Sequence, residues 1–346
     1  MRRDQKFKWF YLFALGLTLS TGGACAGDDL GPLDPEGAGP TGDLADGVDL
    51  ERGEGRPPLG GAGDAPRPQV VVDGEPTARD LRVVGDRLYW VERAEEGVYL
   101  SRARPHGGPA IVAAKLPEQP IDLLVAEDDH VYWTAASGRL YRQDLIGGEP
   151  LAIVDDLASA PLALASADKQ LYWTAADACV RRLALGETSV HEVSCARGTP
   201  VVIAVQGDSV YWGNAEGDLF RASTGGSEPK HLAAGESFDS RLLADQAEVF
   251  WVNAQLRSVR AADRRGLHGV RVVARHQYAP VGLAMDRFGL YFSTQSDGSV
   301  KRVAKTGGEA KVLAADQAGP ADVARHLDRV YWINELDGTI SAVAIR

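Results

Sequence analysis

Cysteine, methionine, long apolar runs and clustered metal ligands are all scarce in this chain. Three cysteines in 346 residues exclude a disulfide-dense scaffold. The seven histidines never fall within four residues of one another, and no Cys/His spacing matches a zinc site. No Gly-x-Ser-x-Gly elbow and no phosphate loop occurs. The longest uncharged apolar run, Trp9 to Leu19, is too short to span a bilayer core, which takes about 20 residues. Basic residues form no stripe, and the formal charge is −11, which argues against nucleic acid. The acidic run Glu127-Asp128-Asp129 lacks a calcium-loop pattern and is read as a solvated turn. No metal and no cofactor are expected.

The amino-terminal part is not globular in composition. Arg2, Arg3, Lys6 and Lys8 precede the apolar run, and Ser20-Thr21-Gly22-Gly23-Ala24-Cys25 follows it. A basic start, a short apolar core and small residues read as an export signal over residues 1–24. Gly23-Ala24-Cys25 resembles a bacterial lipobox, with Gly22 where an aliphatic residue is usual, so Cys25 is the expected lipidation site. The alternatives are ordinary signal cleavage, giving a secreted protein, and an uncleaved anchor. Residues 25–68 read as a disordered tether: residues 26–68 hold eleven Gly, seven Pro and ten acids against three arginines. The expected location is the cell envelope, on the outer-membrane or periplasmic side.

From residue 69 to 346 one pattern recurs. Aromatic pairs stand at Tyr89-Trp90, Tyr132-Trp133, Tyr172-Trp173, Tyr211-Trp212, Phe250-Trp251, Tyr291-Phe292 and Tyr331-Trp332. Their second members lie 43, 40, 39, 39, 41 and 40 residues apart, a period of a repeat architecture. Each repeat carries four short strand signals; in the second they are Pro120–Val125, His130–Thr134, Arg139–Arg142 and Leu151–Val154. Gly147-Gly148 separates the last two and recurs as Gly107-Gly108, Gly225-Gly226 and Gly307-Gly308, dipeptides suited to hairpins because both residues can adopt positive φ. Pro76, Pro120, Pro161, Pro200, Pro280 and Pro320 open first strands. Four strands per repeat, seven times over, predict an all-β, seven-bladed β-propeller; a strand solenoid is the alternative. The seventh repeat ends one strand short, and Pro68–Asp73 matches the missing strand, so an N-terminal strand should complete the last blade. Because neighbouring residues of a strand face opposite sides, each aromatic pair should pack one ring toward either adjacent blade. A monomer is expected.

Tyr132-Trp133-Thr134-Ala135 and Tyr172-Trp173-Thr174-Ala175 resemble the Tyr-Trp-Thr-Asp propeller repeats of LDL-receptor-type proteins and related bacterial repeat proteins. The likeness covers about residues 69 to 346. It departs at the Asp position, occupied here by Glu92, Ala135, Ala175, Asn214, Asn253, Thr294 and Asn334. That family usually has six blades rather than seven. In it the Asp supports hydrogen bonding between blades, a task asparagine can partly take over and alanine cannot. The resemblance implies a binding or scaffolding role and transfers no ligand.

Two cysteines remain beside Cys25. Cys179 and Cys195 flank the Gly186-Glu187-Thr188 turn symmetrically, so a hairpin would oppose them and a disulfide is expected. A ligand rim is expected in the loops after the aromatic strands, where Glu92, Asn214, Glu216, Asn253, Asn334 and Asp337 fall on one face. The partner would be a protein or a glycan. The other reading is a lyase- or hydrolase-type propeller enzyme, which would need a histidine and acids converging in the central channel.

Overall fold

The structure, a computed structural model, describes residues 67–75, 77–125, 130–145, 147–155 and 159–345. The export signal, Cys25, the tether, Pro76 and the Glu127-Asp128-Asp129 run lie outside them.

Among the described residues twenty-eight strands form seven four-stranded antiparallel sheets, each contiguous in sequence except one. That last sheet joins Pro320–His326, Arg329–Asn334 and Thr339–Ala344 to Gln69–Val72, so both ends of the propeller build blade 7. Gln69, Val70 and Val72 pair with Ala342, Ser341 and Ile340. The first strand of each blade packs against the first strands of both neighbours, and this chain of contacts runs round all seven blades without a break. First strands therefore line the axis and fourth strands the perimeter. Closure removes the two open sheet faces that an incomplete ring would leave to water.

The aromatic pairs make the seams. Each of seven buried clusters combines the first aromatic of one blade with the second of the next. Tyr89 lies with Trp133, Tyr132 with Trp173, Tyr172 with Trp212, Tyr211 with Trp251, Phe250 with Phe292, Tyr291 with Trp332 and Tyr331 with Trp90. All six of these tryptophans are at most 1% exposed. Removing a ring of that size from water is worth about 4 kcal/mol or more before entropic costs.

In blades 3 and 6 the residue after the pair has a task of its own. There the first strand bulges near its start, which frees a backbone N–H. Thr174 Oγ1 accepts it from Ala163 (3.0 Å), and Ser293 Oγ accepts it from Gly282 (2.9 Å). Expected element bounds hold within two residues in the second repeat, where the strands are Pro120–Val125, His130–Ala135, Leu140–Asp144 and Leu151–Val154. In three of the four Gly-Gly turns both residues take positive φ; in the fourth Gly226 does (102°) and Gly225 does not. Blade 5 is the irregular one: its first strand is only Leu243–Ala244, and no proline opens it.

Candidate functional site: the axial mouth

Antiparallel pairing puts the loops after second strands and the connections between blades on one face of the ring. On that face the first strands begin. The residues paired with the first aromatic of each blade are Arg82, Leu124, Ala165, Ala204, Leu243, Ala284 and Ala324. Two residues before each lies one equivalent position around the axis. It is held by Asp80, Asp122, Ala163, Val202, Arg241, Gly282 and Asp322. Four blades keep a small or apolar side chain or an arginine there, while blades 7, 1 and 2, which are contiguous, each place an aspartate.

These groups engage one another across blades. Asp122 Oδ2 accepts the Leu164 N–H of blade 3 at 2.7 Å, and its Oδ1 accepts Leu123 N–H at 2.8 Å and faces Arg82 at 3.2 Å. Asp322 Oδ2 accepts the Asp80 N–H of blade 1 at 2.7 Å. Arg241 crosses from blade 5 to Asp322 Oδ1 at 3.5 Å and to the Leu81 carbonyl at 3.3 Å, so a guanidinium spans the axis. The two outer aspartates thus act as clasps between adjacent first strands. Asp80 does not. Its carboxyl enters no hydrogen bond among the described residues, and its backbone sits at φ 57°, the left-handed region that non-glycine residues seldom occupy.

Electrostatics follow from that crowding. Burial, then the Asp322 charge, push Asp80 from 3.8 up to about 7, with Arg82 opposing. Asp122 is also raised, chiefly by burial, while Arg82 and the two backbone N–H groups pull it back. On the same face Glu335 is raised by burial and by Asp322, and it accepts a hydrogen bond from Gln295 at 3.1 Å. A carboxyl near half-protonation between arginines can donate to or accept from a polar ligand at neutral pH. It can also serve as an acid or a base.

The residues expected at the rim lie on this face but share no common point. Asn214, Asn253 and Asn334 are buried and tie their strands to the connection arriving from the previous blade. Asn214 Nδ2 donates to the Arg197 carbonyl (3.0 Å), Asn253 Nδ2 to Glu236 (2.9 Å) and Asn334 Nδ2 to Gln317 (3.4 Å). Glu92 accepts the Trp90 indole N–H at 3.3 Å and the Ser101 hydroxyl at 2.8 Å. It also crowds Glu75, which burial, a hydrogen bond with Glu92 and the charge of Glu92 push up to about 8. Glu216 and Asp337 are exposed, and each accepts a turn N–H, from Thr199 and Thr339 respectively (both 3.0 Å). Cys179 and Cys195 face each other in register across the outer strands of blade 3 and are bonded. Glu192 comes near both sulfurs, but the disulfide occupies their ligating atoms.

Sequence reasoning passed over Asp80, Asp122, Asp322 and Arg241. The signal was present in Pro120-Ile121-Asp122 and Pro320-Ala321-Asp322, where Pro161-Leu162-Ala163 and Pro280-Val281-Gly282 show what the architecture alone accepts. None of the histidines joins the axial group: His130 pairs with Asp144 (2.8 Å), His231 with Asp218 (2.8 Å), and His106 and His326 line a small cavity at the blade 7–blade 1 seam.

No protein-family model and no curated protein matches the chain. Solved structures do. Virginiamycin B lyase from Staphylococcus aureus aligns with a TM-score of 0.66 at 11% identity, over 81% of this chain and 99% of that one. A catalytically inactive form of that enzyme with quinupristin aligns at 0.67 and 12%, over 81% and 100%. The computationally designed Ika8 protein aligns at 0.58 and 16%, over 80% and 98%. At such identities the likeness establishes the fold alone: the chain is a seven-bladed β-propeller.

Proposed function

We propose that the protein is a binding module held at the cell envelope by a lipid on Cys25, with the axial mouth taking up a polar group of a protein or glycan partner. The observation that carries this reading is the concentration of Asp322, Asp80 and Asp122 on three contiguous blades, opposed by Arg241. A propeller needs no charge at that repeat position, as Ala163, Val202 and Gly282 demonstrate. The basic start, the short apolar run and the acidic tether support export and anchoring. An acidic tether is repelled by anionic headgroups at short range, which favours a propeller held clear of the membrane.

The test is photo-crosslinking in intact envelopes with a photoreactive residue at Leu336, on the axial-mouth face. A defined partner should be captured, and Arg241→Ala should reduce capture strongly. Capture that is unchanged by Arg241→Ala and equal from position 288, on the opposite face, would count against the mouth. Cys25→Ala should move the protein from the membrane to the soluble fraction. Fractionation that leaves it membrane-bound would refute the lipid anchor.

One observation favours a second reading, an enzyme acting in the channel. Asp80, with no hydrogen bond to its carboxyl among the described residues and raised to about 7, has the properties of an acid–base group. Incubation with quinupristin, followed by mass spectrometry, decides whether the fold likeness extends to lyase activity. Turnover abolished by Asp80→Asn would establish it.

A further inference from the structure

The third-strand residue paired with the first aromatic of a blade is arginine in five repeats. Arg102, Arg142, Arg182, Arg221 and Arg302 stand opposite Tyr89, Tyr132, Tyr172, Tyr211 and Tyr291. Blades 5 and 7 have alanine there, Ala261 and Ala342. Blade 5 loses nothing by it, because its ring is Phe250 and has no hydroxyl to satisfy. Blade 7 keeps a hydroxyl, on Tyr331, without the arginine.

Other blades draw on three sources for this hydroxyl. Arg102 of the same blade meets that of Tyr89. The next blade supplies a residue four beyond the partner of its second aromatic: Thr224 meets Tyr172, and Arg264 Nε donates to Tyr211 Oη at 2.6 Å. The turn five residues earlier supplies Asp286, which accepts from Tyr291 at 2.9 Å. At Tyr331 all three fail. Ala342 is apolar, Pro105 holds the position of Arg264, and His326, at the position of Asp286, makes no hydrogen bond to it. Tyr331 is 1% exposed, and its hydroxyl enters no hydrogen bond among the described residues. Such a group calls for an explanation, because buried polar atoms are nearly always partnered.

A cavity of about 130 Å³ lies against Tyr331 at the blade 7–blade 1 seam, with room for several water-sized groups. His106 and His326 form part of its wall, and Asp86, Arg104 and Asp328 are exposed at its rim. Two carboxylates thus face one cation. The Asp328 carboxylate enters no ion pair among the described residues, and Asp86 lies 3.4 Å from Arg87. We propose that this cavity receives a guanidinium, which donates to the Tyr331 oxygen and pairs with Asp328 and Asp86. It is the group that five other blades carry on their own third strands. A guanidinium presents several N–H donors in one plane and can serve a phenol oxygen and a carboxylate together. The same chemistry exists in a small free guanidinium compound and in an arginine side chain of a partner protein.

Calorimetric titration of the full chain with methylguanidinium chloride at constant ionic strength tests this. Binding is expected, with methylurea, an uncharged counterpart, weaker by about tenfold or more. Tyr331→Phe should weaken binding by about tenfold. Blade 5 shows that a seam accepts phenylalanine at this position, so the result does not depend on a fragile variant. Asp328→Asn should weaken binding as well. Ala342→Arg returns the repeat's own guanidinium and should abolish binding in a chain that still unfolds cooperatively. Asp80→Asn should leave binding intact, separating this site from the axial mouth. Acetyl-Gly-Arg-Gly-amide binding about tenfold tighter than methylguanidinium would identify a partner's arginine as the source. Equal or weaker binding would identify a free cation. No binding of either probe at millimolar concentration, inorganic phosphate bound in their place, or binding that survives both Tyr331→Phe and Asp328→Asn, overturns the proposal.

Discussion

Blades 2 and 7 bury the same aromatic pair and differ in what stands behind it. In blade 7 the Trp332 indole N–H donates to Gln317 (3.0 Å) and to Asn334 (3.1 Å), and Asn334 donates on to Thr339 (2.9 Å). In blade 2 the corresponding residue is Ala135, and the Trp133 indole N–H has no acceptor among the described residues. Blade 3 repeats the case with Trp173 and Ala175. Ring burial defines the blade, then, and the polar brace is optional. Blade 2 is partly compensated by Tyr141 stacked on Trp133, a contact worth about 0.5–1.5 kcal/mol. The two blades also differ in continuity, since blade 2 is one stretch of chain and blade 7 is sealed by its first strand.

The largest expected effect concerns that seal. Deleting residues 69–74 removes buried Val71 and Val72 and unpairs the last blade. The loss should be about 4 kcal/mol or more, seen as a large drop in Tm. Deleting residues 26–66 instead should leave Tm unchanged, and equal melting temperatures for the two truncations would refute closure as a source of stability.

Next comes the indole itself. Trp332→Phe strips the donor from Gln317 and Asn334, whereas Trp133→Phe removes an N–H that was unpaired. The first should cost about 1–3 kcal/mol more than the second by urea unfolding. Similar costs would mean that the brace adds nothing.

Ala135→Asn should supply the missing acceptor and stabilise blade 2 by about 1 kcal/mol. Destabilisation would show that the space behind Trp133 cannot hold an amide.

A further expected effect is a pH dependence at the mouth that both blades border. Asp80 holds its proton up to about 7 in the folded chain, against 3.8 as its ordinary value. The folded state therefore binds more protons across that interval. The associated stability is complete below about pH 4 and is lost as pH rises through 7. Tm should fall by a few degrees over this window in the wild type and less in Asp80→Asn. Parallel curves would assign the titration to another group, such as Glu75, raised to about 8.

Much of the fold was legible because it is periodic. The spacing of the aromatic pairs reports a blade each time, and the match between Pro68–Asp73 and the other outer strands reports the closing partner. The mouth was harder to read. Asn214, Asn253 and Asn334 are polar residues that close their strands beside a loop, which is where ligand groups are sought, yet they brace the incoming connections. Asp122 and Asp322 stand inside strands just after proline, where a sequence reading expects structure rather than chemistry. Arg241 gives no warning at all, because its contacts lie in blades 7 and 1, up to 160 residues away.

By itself the sequence determined the number of blades, the pairing that closes the ring and the opposition of Cys179 to Cys195. These depend on strand periodicity and on neighbours within one hairpin or one repeat. Only the tertiary structure decided that four positions from four repeats meet at one axis, where the Asp80 carboxyl enters no hydrogen bond among the described residues. This outcome arises from ring closure, which sets residues far apart in the chain at the same height around one channel.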